Sequence, residues 1–163
     1  MSTFTRILPF FVLLFFTAQV SGDPIGWGED VQLTNYSLQA FYDLKSAQDS
    51  QGNIYIVWLG SCPAAGYVQV CYMKISPNGK KLIVDTRVTD SNTVDYYGLD
   101  VIVDYQDNII FLWSDYRQYY PIIYYTKKDA TGQTLIGDMN VTTPFNQARY
   151  HTAAVDSQDN LNI

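Results

Sequence analysis

Two cysteines, one histidine and a tyrosine-rich loop are the side chains of this 163-residue chain with the most chemistry to offer. Cys62 and Cys71 bracket a turn-like stretch between two strand-like runs, so a disulfide there would clamp the base of a hairpin loop, with free thiols as the alternative. Two thiols nine residues apart and a single distant His151 cannot complete a four-ligand zinc site, and no metal site is expected from them. His151 has neither a second histidine nor a paired nucleophile and reads as an ordinary strand residue. The connector Ser114–Pro121 gathers Asp115, Tyr116, Arg117, Tyr119 and Tyr120, rings and hydrogen-bonding groups that could stack on sugar faces or anchor a protein partner. The same residues could instead cover strand edges. Asp95, Asp100, Asp104 and Asp107 are close enough in sequence to hold calcium, although solvated turn carboxylates look the same, and no other cofactor is expected.

The elements that must position these groups are visible as internal repetition. Asp49-Ser-Gln-Gly-Asn53, followed by an apolar run to Trp58, matches Asp104-Tyr-Gln-Asp-Asn108 followed by a run to Trp113. Asp156-Ser-Gln-Asp-Asn160 opens the phrase a third time. A second phrase, Tyr72 to Thr89, aligns without a gap on Tyr125 to Thr142. The units are therefore about 35–89, 90–142 and an incomplete 143–163. Within the second unit the strands are expected at about 99–104, 108–113, 122–127 and 134–142, with Asp, Asn and Gly at the reversals, where side-chain hydrogen bonding or a positive φ is needed. No window has helical periodicity.

Four-stranded antiparallel units at intervals near 50 residues predict an all-β fold of β-propeller type, with tandem blades, two of them complete and the others partial. Trp58 and Trp113 occupy the same place in their units, the end of the second strand, and are expected to fill the gap between blades. At the turn between the third and fourth strands, Ser76, Gly79 and Leu82, or Asp129, Gly132 and Leu135, carry a resemblance to secreted propellers with sialidase-like or Asp-box repeats. Asn78 and Thr131 stand near where such a box has its Asp. The resemblance implies a glycoside hydrolase with an arginine cluster, a Tyr–Glu pair and an Asp acid. Arg87, Arg117 and Arg149 are present, but Arg87 falls on a fourth, outer strand and Glu29, the only glutamate, precedes the first unit. No complete catalytic set can be assembled, so a catalytic role for this chain is not expected.

Met1 to Gly22, with Arg6 ahead of an apolar run and then small polar residues, reads as a secretory signal peptide, too short for a membrane span. Residues 23–163 would then be an exported partial propeller, acidic throughout: the whole chain has 10 basic against 16 acidic side chains, which argues against nucleic-acid binding. Asn35-Tyr-Ser and Asn140-Val-Thr are glycosylation sequons in that setting. Alignment places Ile163 two residues short of a complete second strand, so a piece of a longer secreted protein is expected, and an exposed edge strand there would favour self-association. The reading is an extracellular or cell-surface binding or structural module whose partner is carbohydrate or protein. The alternative is a fragment of a sialidase-like hydrolase with its catalytic residues on other blades.

Overall fold

The computed structural model describes residues 32–34, 42–62, 68–89, 96–142 and 150–163. The signal sequence, Glu29, Asn35, Asp95 and Arg149 lie outside these residues. The chain separates after Leu33, and the architecture below is that of the unit from Thr34 to Ile163.

Strands β1 (Asp43–Gln48), β2 (Ile54–Gly60), β3 (Gln69–Ile75) and β4 (Lys81–Arg87) form one antiparallel meander in sequence order. Strands β5 (Tyr96–Val103), β6 (Ile109–Asp115), β7 (Ile122–Lys128) and β8 (Thr134–Asn140) form a second, and β9 (Ala154–Val155) pairs with β10 (Leu161–Asn162) in a short hairpin. No helix occurs among the described residues. The fold is all-β, with two of the expected four-stranded sheets and the opening hairpin of a third element. Boundaries differ from expectation in two informative places. Strand β5 starts at Tyr96, ahead of a register shift between Tyr97 and Leu99 where Gly98 takes a φ of 54°. Strand β6 runs on to Asp115, which is therefore a strand residue and not part of the connector.

One turn chemistry closes the first reversal of each element. Asp49 Oδ1 accepts the backbone N–H of Gln51 and of Asn53 at 3.1 and 2.8 Å, while Oδ2 accepts the Asn53 side-chain amide at 2.9 Å. Asp104 does the same for Gln106 and Asn108, and Asp156 for Gln158 and Asn160. A carboxylate with two oxygens is what lets one side chain satisfy three donors that the reversal leaves without ladder partners. The fourth residue of each turn has positive φ: Gly52 at 79°, Asp107 and Asp159 at 62°. Aspartate enters this region more readily than most residues, which is why Gly is dispensable there.

Alternation along the strands then sorts the faces. Tyr55, Val57 and Leu59 of β2, with Val70 and Tyr72 of β3, meet Val101, Ile109, Phe111, Trp113 and Tyr124 of the second sheet in one buried cluster. Tyr72 meets Phe111 edge-on, with ring centroids 4.9 Å apart. The other face of β6 and β7, Ile110, Leu112 and Ile123, packs against Ala153, Val155 and Leu161 of the short hairpin segment. Strand β6 is buried along its whole length because both its faces are covered. Each such apolar side chain contributes about 1.5–3 kcal/mol when fully buried. Trp113 lies between the two sheets as expected. Trp58, at the matching position, is equally buried on the opposite face of the first sheet from Val57.

Polar contacts join successive elements at like positions. Ser50 donates its backbone N–H and its hydroxyl to the Asp107 carboxylate at 2.8 and 2.6 Å, and Tyr105 donates its backbone N–H to Asp159 at 3.1 Å. Two further bonds, at places that do not match, run from the Leu99 N–H to Asp43 and from the Ala153 N–H to Asp100. The backbones of the two sheets come closest between β1 and β5, so the sheets converge along their first strands. Gly132 marks another close approach: a Cβ there would lie 2.8 Å from the Tyr72 hydroxyl, and its φ is 93°.

Candidate functional site

The strand-two to strand-three connector of the second sheet is fixed from below before it reaches solvent. Asp115, at the end of β6, is fully buried. It accepts the Trp113 indole N–H at 3.1 Å and, from Arg117, the backbone N–H, Nε and Nη2, the last at 2.6 Å. The same Nη2 reaches Asp138 on β8 at 3.0 Å, and the other Asp138 oxygen accepts the Thr126 hydroxyl of β7 at 2.9 Å. The guanidinium sits 4.1 Å from the centroid of the Tyr124 ring, which itself stacks on Trp113. Arg117 therefore ties β6, β7 and β8 together through two carboxylates and one aromatic face. Burial works against its charge, but Asp115 first and Asp138 second more than offset it, so Arg117 remains protonated under all ordinary conditions.

Above this root the connector turns outward. Tyr119 donates its N–H to the Tyr116 carbonyl at 3.0 Å and adopts a φ of 68°. Tyr119 is 93% exposed, Tyr120 is exposed, and Tyr116 packs edge-on against Tyr97 at 5.5 Å. Of the five residues read as ligand-binding, Asp115 and Arg117 are thus engaged within the chain, Tyr116 is half-buried, and Tyr119 and Tyr120 face solvent.

The matching connector of the first sheet is held differently. Cys62 and Cys71 form a disulfide, with Cα atoms 5.9 Å apart. Cys71 lies opposite Trp58 in the strand register, as Tyr124 lies opposite Trp113. Gly60 stands where the second sheet has Asp115, and the Trp58 indole donates to the Ser61 carbonyl at 3.3 Å.

At the opposite ends of the strands, the turn aspartate of each four-stranded sheet pairs with a lysine of its third strand. Lys74 meets Asp49 at 3.0 Å and Lys127 meets Asp104 at 2.6 Å. Burial alone would raise both aspartates. Hydrogen bonds from Asn53 and Lys74 outweigh it at Asp49, as those from Lys127 and Asn108 do at Asp104, and hold both carboxyls below the usual range. Burial pushes His151, which precedes β9 and is not a strand residue, below its ordinary value; the nearby Asp100 charge offsets this in part. Burial likewise pushes the Tyr72 hydroxyl up to about 12.

Of the aspartates considered for calcium, Asp100, Asp104 and Asp107 each bond to a different group: Ala153, Lys127 and Ser50. Among the described residues no three His, Cys, Asp or Glu side chains are grouped as metal ligands. Arg87 donates to the Thr89 carbonyl, and Asn140 is exposed at the end of β8. Among the described residues no helix is long and apolar enough to cross a membrane.

Sequence reading missed Asp138 and Tyr124 as partners of Arg117, and Thr126 as the residue that holds Asp138. The available signal was recurrence: Lys74 and Lys127, and Asp85 and Asp138, stand at matching places in the aligned phrases. No protein-family model matches the chain, and no curated protein is significantly similar to it.

Proposed function

We propose that this chain is part of an exported β-propeller that serves as a recognition module, with the Tyr116–Tyr120 connector as its binding loop. The observation that carries the reading is the contrast within five residues: Arg117 is locked by Asp115 and Asp138, while Tyr119 two residues on is almost wholly exposed. Large aromatic rings on an anchored connector lose hydration when a partner covers them, and their few side-chain torsions keep the entropy cost small. The radial arrangement is supported by the convergence of β1 on β5 and by like-placed contacts between successive elements. Export is supported by the apolar leader and the Cys62–Cys71 bridge.

Binding is favoured over hydrolysis because the described arginines are already committed: Arg117 to two carboxylates and Arg87 to a backbone carbonyl. The test is binding to an array of glycans and to intact cell surfaces, comparing the protein with a Tyr119→Ala, Tyr120→Ala variant. A ligand whose retention falls at least tenfold in the variant, with thermal unfolding unchanged, supports the reading. Ligands bound equally by both proteins would overturn it.

A further inference from the structure

The turns between the third and fourth strands of the two sheets are closed by different groups. In the second sheet Asp129 Oδ1 accepts the N–H groups of Thr131 and Gln133, both at 2.9 Å, and the Thr131 hydroxyl at 2.6 Å. In the first, Ser76 stands at the place of Asp129 and Asn78 at that of Thr131, so a hydroxyl and a neutral amide take over. The Lys80 N–H is shared between Ser76 Oγ at 3.1 Å and Asn78 Oδ1 at 3.4 Å. The Ser76 hydroxyl, which also lies 3.1 Å from the Lys80 carbonyl, donates to the same Asn78 oxygen. An asparagine side chain bonded two residues ahead folds forward over the intervening peptide, here that of Gly79. Asn78-Gly79 is the one Asn-Gly pair in the sequence, both residues are exposed, and Gly79 has open space where a side chain would stand. Asn53, Asn108 and Asn160 are placed otherwise: each gives its Nδ2 to an aspartate and precedes Ile or Leu.

We propose that Asn78 is a self-modification site, at which the Gly79 backbone nitrogen closes a succinimide and converts the asparagine to aspartate and isoaspartate. The Gly79 nitrogen attacks Asn78 Cγ. The N–Cγ bond forms, the Cγ–Nδ2 bond breaks, and Nδ2 leaves as ammonia with the proton given up by Gly79. Water then opens the ring and returns a proton to the Gly79 nitrogen: cleavage at Cγ leaves aspartate, and cleavage at the backbone carbonyl carbon leaves isoaspartate. Glycine suits the nucleophile because no side chain crowds the forming ring. Negative charge develops on Oδ1 during attack, and the Ser76 hydroxyl and Lys80 N–H already face that atom. The Gly79 N–H is tied to the Ser76 carbonyl at 2.9 Å, so attack requires this one bond to open, in an exposed turn. The aspartate product supplies a carboxylate in the turn where the second sheet has Asp129. Isoaspartate lengthens the turn by one backbone carbon and disturbs the Ser76 N–H bond to the Lys80 carbonyl, 2.8 Å, that closes the hairpin.

Incubation of the folded protein in mildly alkaline buffer, followed by peptide mapping with mass spectrometry, tests this. We expect conversion at Asn78 at least tenfold faster than at any other asparagine, with isoaspartate among the products, which direct hydrolysis of the amide does not give. Gly79→Ala, which sets a methyl beside the attacking nitrogen, should slow conversion at least tenfold. Ser76→Ala, which removes one Oδ1 donor in water-exposed surroundings, should slow it at least threefold. Conversion at Asn78 no faster than at Asn140, which is exposed but precedes the branched Val141, would overturn the proposal. So would aspartate without isoaspartate, an unchanged rate in Gly79→Ala, or a faster rate in Ser76→Ala, where the hydroxyl would prove to restrain the side chain.

Discussion

The two four-stranded sheets share turns, strand order and tryptophan position, yet they secure the same connector by different bonds. In the first, Cys71 opposite Trp58 is joined covalently to Cys62; in the second, Tyr124 opposite Trp113 carries the Arg117 guanidinium, which two aspartates neutralise. A disulfide acts mainly by restricting the unfolded chain and makes no demand on neighbouring charges. A buried ion cluster depends on every member, because removing one leaves the others desolvated and unpaired. The difference teaches that the scaffold requires a fixed connector root and tolerates either means of fixing it. It also predicts that the second connector is the more sensitive to single substitutions.

The largest effect should follow Arg117→Ala, which strands Asp115 in a fully buried position: a loss of about 3–5 kcal/mol in urea unfolding, or failure to fold. Arg117→Lys should recover only part of it, since an ammonium cannot hold both carboxylates and the Tyr124 face. Cys62→Ala with Cys71→Ala should cost less, about 2–4 kcal/mol by the same measurement, and leave the second sheet's near-ultraviolet signal intact. If the cysteine pair proved the more damaging, the contrast between the two connectors would be reversed.

Gly132→Ala sharpens the comparison at the place where the sheets meet. It adds a methyl against the Tyr72 hydroxyl and puts a side chain at positive φ, so unfolding free energy should drop by about 1–3 kcal/mol. Gly79 occupies the matching turn of the first sheet at a φ of 81° but has open space around its Cβ position. Gly79→Ala should therefore cost less, the backbone share alone.

Acid should expose the ionic contributions in sequence. The folded-state value of His151 lies below its unfolded value near 6.5, so the unfolded chain binds the proton first and stability declines as pH falls through 6.5 toward the folded value. Asp49 and Asp104 are held below the ordinary carboxylate value near 3.9, so their contribution is complete above that pH and is lost as pH falls through their folded values. Thermal unfolding across pH 2–8 should show both declines, and His151→Gln should remove the one nearer neutrality. The smallest effect belongs to Tyr119→Ala, which should leave unfolding free energy within about 0.5 kcal/mol of the parent because the ring touches solvent.

What could be read from the sequence follows the range of the interaction. The Asp49, Asp104 and Asp156 turns were legible because their donors lie within five residues of the carboxylate, so residue type and spacing suffice. The strand count and the matching tryptophans were legible from repetition. Residue type and spacing do not decide between a disulfide and free thiols for the cysteine pair; the bridge is present. Lys74 with Asp49 and Arg117 with Asp138 depend on the register between strands, which side-chain type does not encode. With the apolar run ending at Trp113, Asp115 reads as a connector residue; the ladder continues two residues farther, through Ser114 and Asp115 to Ile123 and Ile122. That extension turns the carboxylate inward and makes it an anchor.

The central claim is that the second sheet stacks on the first through defined faces, Tyr72 against Phe111 and Gly132. Nuclear Overhauser spectroscopy on the oxidised protein measures this directly. Cross-peaks from the Tyr72 ring to the Phe111 ring and to the Gly132 α-protons are predicted, at separations set by the 4.9 Å ring contact and the close approach at Gly132. Tyr72 cross-peaks confined to β2, β3 and β4, with none to the second sheet, would contradict it.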